Sequence, residues 1–135
     1  MILGVGIDLI NIERMENVRK EFGEKFNDKI FTEHENKIVE KFSGNKKKID
    51  SYYAKRFALK EAFAKAVGTG IGNGINFKDI EILNDIKGKP YIKLSEKTSK
   101  FIEKKFKTEM DKIQIDVSTS DDYPLANAIV VISTN

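Results

Sequence analysis

The sequence predicts a single α+β domain, in which about five strands form a largely antiparallel sheet and three or four helices pack on it. Its length of 135 residues is that of one domain. Residues 51–67 have a helical composition, whereas apolar and polar residues alternate over 77–94, 112–118 and 127–133, as in strands. We find no linker, repeat or low-complexity tract, so residues 1–135 are treated as one unit.

The N-terminal part of the chain predicts one strand and two helices. Residues 2–10 read ILGVGIDLI, a β-branched and leucine-rich run typical of a buried strand. Asn11 can cap a helix that continues to about Phe22 and ends at Gly23. Thr32 opens a Thr-x-x-Glu capping box, so a second helix is expected to begin there.

The main helix is expected from Ser51 to Val67, because this run is rich in alanine, lysine and leucine and contains neither glycine nor proline. The three lysines at 46–48 are predicted to lie in a polar connector before it. The segment GTGIGNG at 68–74 is predicted to form a loop.

The C-terminal part predicts a hairpin, a helix and two strands. Residues 77–83 and 91–94 flank a turn and suggest the hairpin. Ser95 can cap an amphipathic helix. The strands are expected at 112–118 and 127–133, and the residues expected in the turn between them are Asp121, Asp122 and Pro124.

The composition excludes several kinds of catalysis. The absence of cysteine removes disulfides, thiolate nucleophiles and cysteine-bound zinc, and the single histidine, His34, has no second imidazole for a metal site or relay. Catalysis must therefore use carboxylates, lysines, arginines, hydroxyls or a bound metal. No apolar run approaches the roughly 20 residues that cross a bilayer, and the N-terminal run has no basic leader. We therefore expect a cytoplasmic protein without a membrane partner.

The formal net charge of +3 conceals a segregation of charge along the chain. Between Lys41 and Lys65 there are eight basic and two acidic residues, a local sum of +6. Such a segment favours acidic or polyanionic partners. A small basic nucleic-acid-binding module is an alternative, although no aromatic and basic strand of the RNA-recognition type and no zinc-finger spacing is present. A non-enzymatic domain that binds an acidic protein is another alternative.

Two carboxylates are candidates for chemistry. Asp8 lies in an apolar strand, on the same side as Gly4 and Gly6, which leave space above the sheet. A buried carboxylate must be paired, hydrogen-bonded or metal-bound, although Asp8 could instead cap the turn that follows the strand. Glu61 lies on the main helix, where an ordinary i,i+4 surface pair with Lys65 is the alternative.

Two carboxylates with few other donors suit magnesium, which keeps several waters and is completed by substrate phosphates. Displacement at phosphorus is the chemistry that uses magnesium, cations and a carboxylate base. The glycine loop is either a flexible connection or, with Arg56, Lys60 and Lys65, a place for an extended anionic ligand. Spacing alone does not show that Asp8 and Glu61 meet.

Four blocks of sequence occur in a characteristic order. They are GVGIDLINIERM from residue 4, AKRFALKEAFAKAVGTGIGNG from residue 54, FKDIEI from residue 77 and GKPYI from residue 88. Together they resemble the bacterial holo-acyl-carrier-protein synthases, the small 4'-phosphopantetheinyl transferases, over nearly the whole chain. The resemblance implies one such domain over residues 1–135. It also implies transfer of 4'-phosphopantetheine from coenzyme A to a serine of apo-acyl carrier protein, with release of adenosine 3',5'-bisphosphate.

The resemblance also implies roles for individual residues. Asp8 and Glu61 would hold Mg²⁺, Glu61 would accept the serine proton directly or through a metal-bound water, and Lys65 would stabilise the departing phosphate. The residues implied at the coenzyme A site are Arg56, Lys60, Lys65, Gly68, Thr69, Gly70, Lys89 and Pro90.

The resemblance further implies protein partners. Arg14 would meet the acidic recognition helix of the acyl carrier protein. The family members are typically homotrimers whose active sites lie between adjacent subunits. Many relatives carry a histidine after a Ser-x-Ser segment near the last strand, where this chain has Asp121, so no role is carried over to that position.

Overall fold

The structure, a computed structural model, describes all residues from Met1 to Asn135. The strands are β1 (Ile2–Asn11), β2 (Ile80–Asn84), β3 (Pro90–Leu94), β4 (Ile113–Asp122) and β5 (Leu125–Thr134). The α-helices are α1 (Ile12–Phe22), α2 (Glu24–Ile30), α3 (Glu33–Ile38), α4 (Lys46–Val67) and α5 (Glu96–Phe106). Short 3-10 helices cover Val39–Phe42, Phe77–Asp79 and Met110–Lys112. None of the helices combines the length and the apolar composition that a membrane span requires.

The α+β class is confirmed, and the five predicted strands are divided between two antiparallel sheets. One sheet has the order β1-β5-β4, and β2 and β3 form a separate hairpin. The predicted single sheet is therefore split, because β3 and β4 are not hydrogen-bonded to each other. The main apolar core lies between α4 and the inner face of the three-stranded sheet, with α5 and the hairpin closing it.

The side of β1 that carries Gly4 and Gly6 faces α4 at very close range. A Cβ atom on Gly4 would lie 1.9 Å from the carbonyl oxygen of Ala66, and one on Gly6 would lie 1.8 Å from that of Ala62. The space that the sequence predicts above these glycines is therefore filled by the backbone of α4. Only glycine at these two strand positions permits this approach.

The main helix begins one turn and a half before the predicted position. Lys46, Lys47 and Lys48 form its first turn, so the prediction of a polar connector is wrong there. The Asn45 side chain caps this turn by accepting a hydrogen bond from the backbone N–H of Lys48 at 3.1 Å. The Lys46 ammonium donates to Asp50 one turn later at 2.9 Å, which further stabilises the added turn.

The helix count differs from the prediction because α2 was not expected. Gly23 ends α1 in a positive-φ conformation, and the chain immediately enters this seven-residue helix. A helix of two turns is too short to show a clear apolar period. At the other end of the chain, Asp121 and Asp122 belong to β4 rather than to a turn, because β4 pairs with β5 as far as Asp122 and Leu125.

We predict that Gly6→Ala strongly destabilises the fold. The added methyl group would collide with backbone atoms of α4, which cannot move aside as a flexible side chain can. The free energy of unfolding in urea should fall by about 3 kcal/mol. Gly44→Ala is the matched control, because its Cβ would meet no atom within 4 Å and only its positive φ of 74° is strained. That control should lose about 1 kcal/mol, and an equal loss in both variants would contradict the close-approach argument.

Candidate active site

A cluster of two carboxylates and one ammonium lies where β1 meets the C-terminal half of α4. We call Asp8, Glu61 and Lys65 the carboxylate site. The Lys65 ammonium donates to Asp8 Oδ1 at 3.0 Å and to the carbonyl oxygen of Ile7 at 3.0 Å. Lys65 therefore pairs across to the strand, instead of forming the i,i+4 surface pair with Glu61. The alternative role of Asp8 as a cap is also wrong, because Asn11 accepts the hydrogen bond from Arg14 N at the start of α1.

Glu61 is half-buried, and its environment disfavours ionisation. Burial is the main cause that raises the pKa of its carboxyl above 4.5, and the negative charge of Asp8 raises it further. The nearby Lys65 ammonium acts in the opposite direction and does not cancel these effects. The two carboxylates are thus near enough to repel each other, and Lys65 is the one cation that acts on both.

The carboxylate site fits a hard divalent cation. Nowhere in the chain do three or more histidine, aspartate or glutamate side chains gather as a metal-binding group, so the protein offers no complete metal cage. Two carboxylates that carry excess negative charge are the donor set expected for Mg²⁺, which takes few protein ligands and completes its shell with water and phosphate oxygens. Asp8 and Glu61 are the residues that would hold it.

The glycine loop lies next to the carboxylate site. Gly68 ends α4 in a left-handed conformation, and its N–H donates to the carbonyl oxygens of Ala64 and Lys65. The N–H of Gly70 also donates to Ala64 O at 3.1 Å, and the Thr69 hydroxyl donates to the carbonyl oxygen of Gly70 at 2.9 Å. The loop is thus held against the last turn of α4, one residue beyond Val67.

A separate open groove of about 830 Å³ runs along the N-terminal half of α4. Its walls are α3 with the following 3-10 helix, α4, and the β2–β3 hairpin. We call it the basic groove, because the cations that line it are Lys41, Lys47, Lys48, Lys55 and Arg56. Two carboxylates, Asp85 and Asp121, also line it. None of the three residues of the carboxylate site lines the basic groove, so the structure places the two features apart on one chain.

Arg56 is held rigidly at the base of the basic groove. It is 93% buried, its guanidinium donates to Asn84 Oδ1, and the guanidinium carbon lies 4.6 Å from the centroid of the Tyr52 ring. Its Nε has no hydrogen-bond partner within the chain. A fixed guanidinium that lines a groove rich in cations is suited to bind an anion.

The predicted nucleotide-site residues are divided between these two places. Lys89 and Pro90 lie in the hairpin between Asp85 and Tyr91, which line the basic groove, but they are not part of its lining. Gly68, Thr69 and Gly70 adjoin the carboxylate site. Arg14 lies on the exposed first turn of α1.

Lys60 does not fit its predicted place at a nucleotide-binding surface. Its side chain is completely buried, and its ammonium pairs with Glu35 at 2.6 Å. It also donates to the carbonyl oxygens of Ile30 at 2.9 Å and Phe77 at 3.1 Å, so all three N–H groups have partners inside the protein. Helical spacing placed Lys60 beside Arg56, but the neighbouring elements enclose it.

Sequence reasoning missed most of the basic groove. Tyr52, Asn84 and Asp85 line it, and none of them was a candidate. His34, the single histidine, lines it as well. Asp121 also lies in this groove, with Oδ1 at 3.3 Å from Lys55 Nζ and Oδ2 accepting from the Ser51 hydroxyl. The segment of charge +6 was the sequence signal that could have indicated this groove. The hairpin that forms another wall of the groove lies about 30 residues further along the chain, so the segment alone does not reveal it.

Comparison with known proteins identifies the family of this chain. The sequence profile of the 4'-phosphopantetheinyl transferase superfamily matches residues 4–128. A holo-[acyl-carrier-protein] synthase of Wolbachia pipientis is 43% identical over 132 residues, which cover 98% of either chain.

Solved structures show the same similarity. The crystal structure of holo-[acyl-carrier-protein] synthase from Neisseria meningitidis has a TM-score of 0.83 at 36% identity, covering 99% of this chain and 100% of that one. A holo-(acyl-carrier-protein) synthase from Bacillus anthracis, in complex with CoA (3',5'-ADP), has a TM-score of 0.80 at 34% identity, covering 100% of this chain and 99% of that one. With a profile match over nearly its whole length and full-length relatives above 30% identity, this chain belongs to the 4'-phosphopantetheinyl transferase superfamily.

Proposed function

We propose that this protein transfers the 4'-phosphopantetheine group of coenzyme A to a serine hydroxyl of apo-acyl carrier protein and releases adenosine 3',5'-bisphosphate. The observation that carries the proposal is the meeting of Asp8, Glu61 and Lys65, which supplies a carboxylate base, a second carboxylate and a cation at one place. Full-length relatives that are named holo-[acyl-carrier-protein] synthase support the choice of substrates.

In the reaction, the serine oxygen forms a bond to the phosphorus that carries the pantetheine arm, and the bond from that phosphorus to the bridging oxygen of the diphosphate breaks. Glu61 accepts the serine proton, for which it must be ionised. The Lys65 ammonium stabilises the negative charge that develops on the departing phosphate. Asp8 and Glu61 would hold Mg²⁺, which would supply further positive charge at the diphosphate.

The basic groove is proposed to bind the nucleotide portion of coenzyme A. Arg56 supplies a fixed guanidinium at its base, and the exposed Lys47 and Lys48 add cations at its rim. The Bacillus anthracis relative in complex with CoA (3',5'-ADP) supports a nucleotide ligand. Five further residues are proposed to contact the same ligand. Gly68, Thr69 and Gly70 would do so beside the carboxylate site, and Lys89 and Pro90 would do so from the hairpin beside the basic groove.

The carrier protein is proposed to approach Arg14. This side chain is exposed beside β1, the strand that carries Asp8. An acidic partner would be attracted to the net positive charge of the chain, so its association should weaken as salt concentration rises.

We predict that Asp8→Asn and Glu61→Gln each slow the transfer by about 100-fold or more, because several kcal/mol of transition-state stabilisation is lost. The measurement is the mass of apo-acyl carrier protein after incubation with coenzyme A and Mg²⁺. Glu96→Gln, at an exposed carboxylate on α5, is the control and should keep full activity.

No mass gain with the unchanged protein would refute the proposed function, and a gain that survives chelation of the metal would refute the magnesium site. The competing nucleic-acid-binding function makes the opposite prediction. Such a module should be indifferent to Asp8→Asn and Glu61→Gln but sensitive to loss of Lys47 and Lys48.

We also propose that the protein is a homotrimer whose active sites lie between subunits. The outer face of the three-stranded sheet, away from α4, exposes a row of apolar side chains on β1: Val5, Ile7 and Leu9. Ile129 extends the row onto β5, opposite Ile7, and it too is exposed. An apolar patch of this kind favours contact with another protein surface. The proposal requires that the basic groove of one copy meets the carboxylate site of another.

We predict that two inactive variants, Arg56→Gln and Glu61→Gln, restore activity when they are expressed together. In a mixed trimer, some sites would combine an intact groove from one subunit with intact carboxylates from its neighbour. Random assembly of equal amounts should give about a quarter of the wild-type activity. Ile7→Glu, which places a charge in the apolar outer face, should dissociate the assembly in analytical ultracentrifugation and abolish the restoration. Absence of restoration in a confirmed mixed oligomer would place the whole site within one subunit.

We predict that Glu61 titrates above pH 4.5 in the metal-free protein, because burial and the charge of Asp8 raise the pKa of its carboxyl. The measurement is carboxyl ¹³C NMR, and Asp8→Asn should lower the midpoint. Since the folded state holds this proton more tightly than the unfolded state, the contribution of Glu61 to stability falls as pH rises through the raised pKa. Glu61→Gln should therefore gain stability relative to wild type as pH rises through that range. A midpoint at or below 4.5 would contradict the environment described here.

A further inference from the structure

A buried ion pair lies behind the basic groove and has no part in the proposed reaction. Glu35 of α3 and Lys60 of α4 are both completely buried, with 2.6 Å between Glu35 Oε1 and Lys60 Nζ. Burial lowers the pKa of the Lys60 ammonium, although the charge of Glu35 opposes this effect.

Every polar atom of this pair is bonded to a different part of the chain. Glu35 Oε1 also accepts from the backbone N–H of Thr32 at 2.8 Å, and Oε2 accepts from that of Ile82 in β2 at 2.9 Å. Lys60 donates to the carbonyl oxygens of Ile30, at the end of α2, and Phe77, before β2. The pair therefore joins α2, α3, α4 and β2 at one point.

The elements that the pair joins are the walls of the basic groove. His34 and Ile38 line the groove from α3, on either side of Glu35 in the sequence. Ile82, whose N–H is bound by Glu35, lines it from β2. The Tyr52 hydroxyl donates to the backbone carbonyl of Glu35 at 2.7 Å, and the Tyr52 ring packs against the Arg56 guanidinium.

Stability alone is a weak reason for such a pair, because well-packed apolar residues of similar volume usually stabilise a core as well or better. A set of directional hydrogen bonds does what apolar packing does not: it fixes the separation and register of the elements it joins. The two elements fixed most directly here are α3 and β2, which both line the groove.

We propose that Glu35 and Lys60 are positioning residues for the nucleotide ligand: they hold α3, β2 and α4 at the spacing that lets the basic groove bind the adenosine 3',5'-bisphosphate portion of coenzyme A. The inference rests on the proposed function for the identity of the ligand. It assigns the pair to ligand affinity and not to the chemical step, because neither side chain is exposed to the groove or belongs to the carboxylate site.

Glu35→Gln tests the proposal. The amide oxygen of glutamine can still accept from Thr32 and Lys60, but its NH₂ group would face the N–H of Ile82, so the link to β2 is broken while the side-chain volume is kept. The KM for coenzyme A should rise about tenfold, with kcat changed by less than about twofold. The affinity for adenosine 3',5'-bisphosphate, measured by calorimetry, should fall by the same factor.

Ile102→Val is the control for a merely structural role. Ile102 is completely buried in the main core on α5 and does not line the basic groove. This variant should be less stable than wild type with unchanged KM and unchanged nucleotide affinity. If Glu35→Gln does not fold, the double variant Glu35→Gln/Lys60→Met removes the uncompensated charge and takes its place in every measurement.

A folded variant with unchanged KM and nucleotide affinity would overturn the proposal. A loss of kcat at unchanged KM would overturn it too, because the pair would then act on the carboxylate site. The nucleotide measurement separates this proposal from the proposed function. If the wild type binds the nucleotide and does not modify the carrier protein, the transfer function fails while the positioning role is still decided by the calorimetry. If the wild type does not bind the nucleotide, the positioning role fails.

Discussion

The close contact between β1 and α4 is the constraint on which the rest of this structure depends. Gly4 and Gly6 let the strand touch the helix backbone at Ala62 and Ala66. With the two backbones in contact, Asp8 lies within hydrogen-bond distance of Lys65 and within electrostatic reach of Glu61. A larger side chain at either glycine would separate the strand from the helix, and the carboxylate site would separate with them. Packing and chemistry are therefore set by the same few small residues.

Along α4, opposite charges are divided between two surfaces. Its N-terminal half carries four of the five cations that line the basic groove, with Arg56 fixed by Asn84 and Tyr52. Its C-terminal half contributes Glu61 to a site with excess negative charge. A ligand that bears several phosphates and a divalent cation carries negative charge for the basic groove and positive charge for the carboxylate site. The arrangement is thus suited to a polyanionic substrate accompanied by a metal, and it explains why the modest net charge of +3 gives little information by itself.

Burial separates two groups of residues that look alike in the sequence. Lys60 and Lys65 both lie on α4, yet one is completely enclosed with Glu35 and the other is half exposed beside Asp8. On the outer face of the sheet the relation is reversed: the apolar side chains of Ile7 and Leu9 are exposed, whereas the charged side chain of Lys60 is buried. A buried charge needs partners, and an exposed apolar row favours a covering surface. The stability of an isolated chain therefore explains neither the buried Lys60–Glu35 pair nor the exposed apolar row on β1.

Local patterns in the sequence determined the elements that carry their own signals. The glycine-containing strand, the Ala-rich helix and the caps at Asn11, Thr32 and Ser95 were predictable, because each depends on neighbouring residues. The side of β1 that carries Asp8 followed from strand alternation in the same way. The tertiary structure alone decided the partners. Lys65 meets Asp8 across 57 positions of sequence, Lys60 meets Glu35 across 25, and Arg56 meets Asn84 across 28. Periodicity gives the direction of a side chain from its own element, but the burial and charge of that side chain depend on which distant element packs against it.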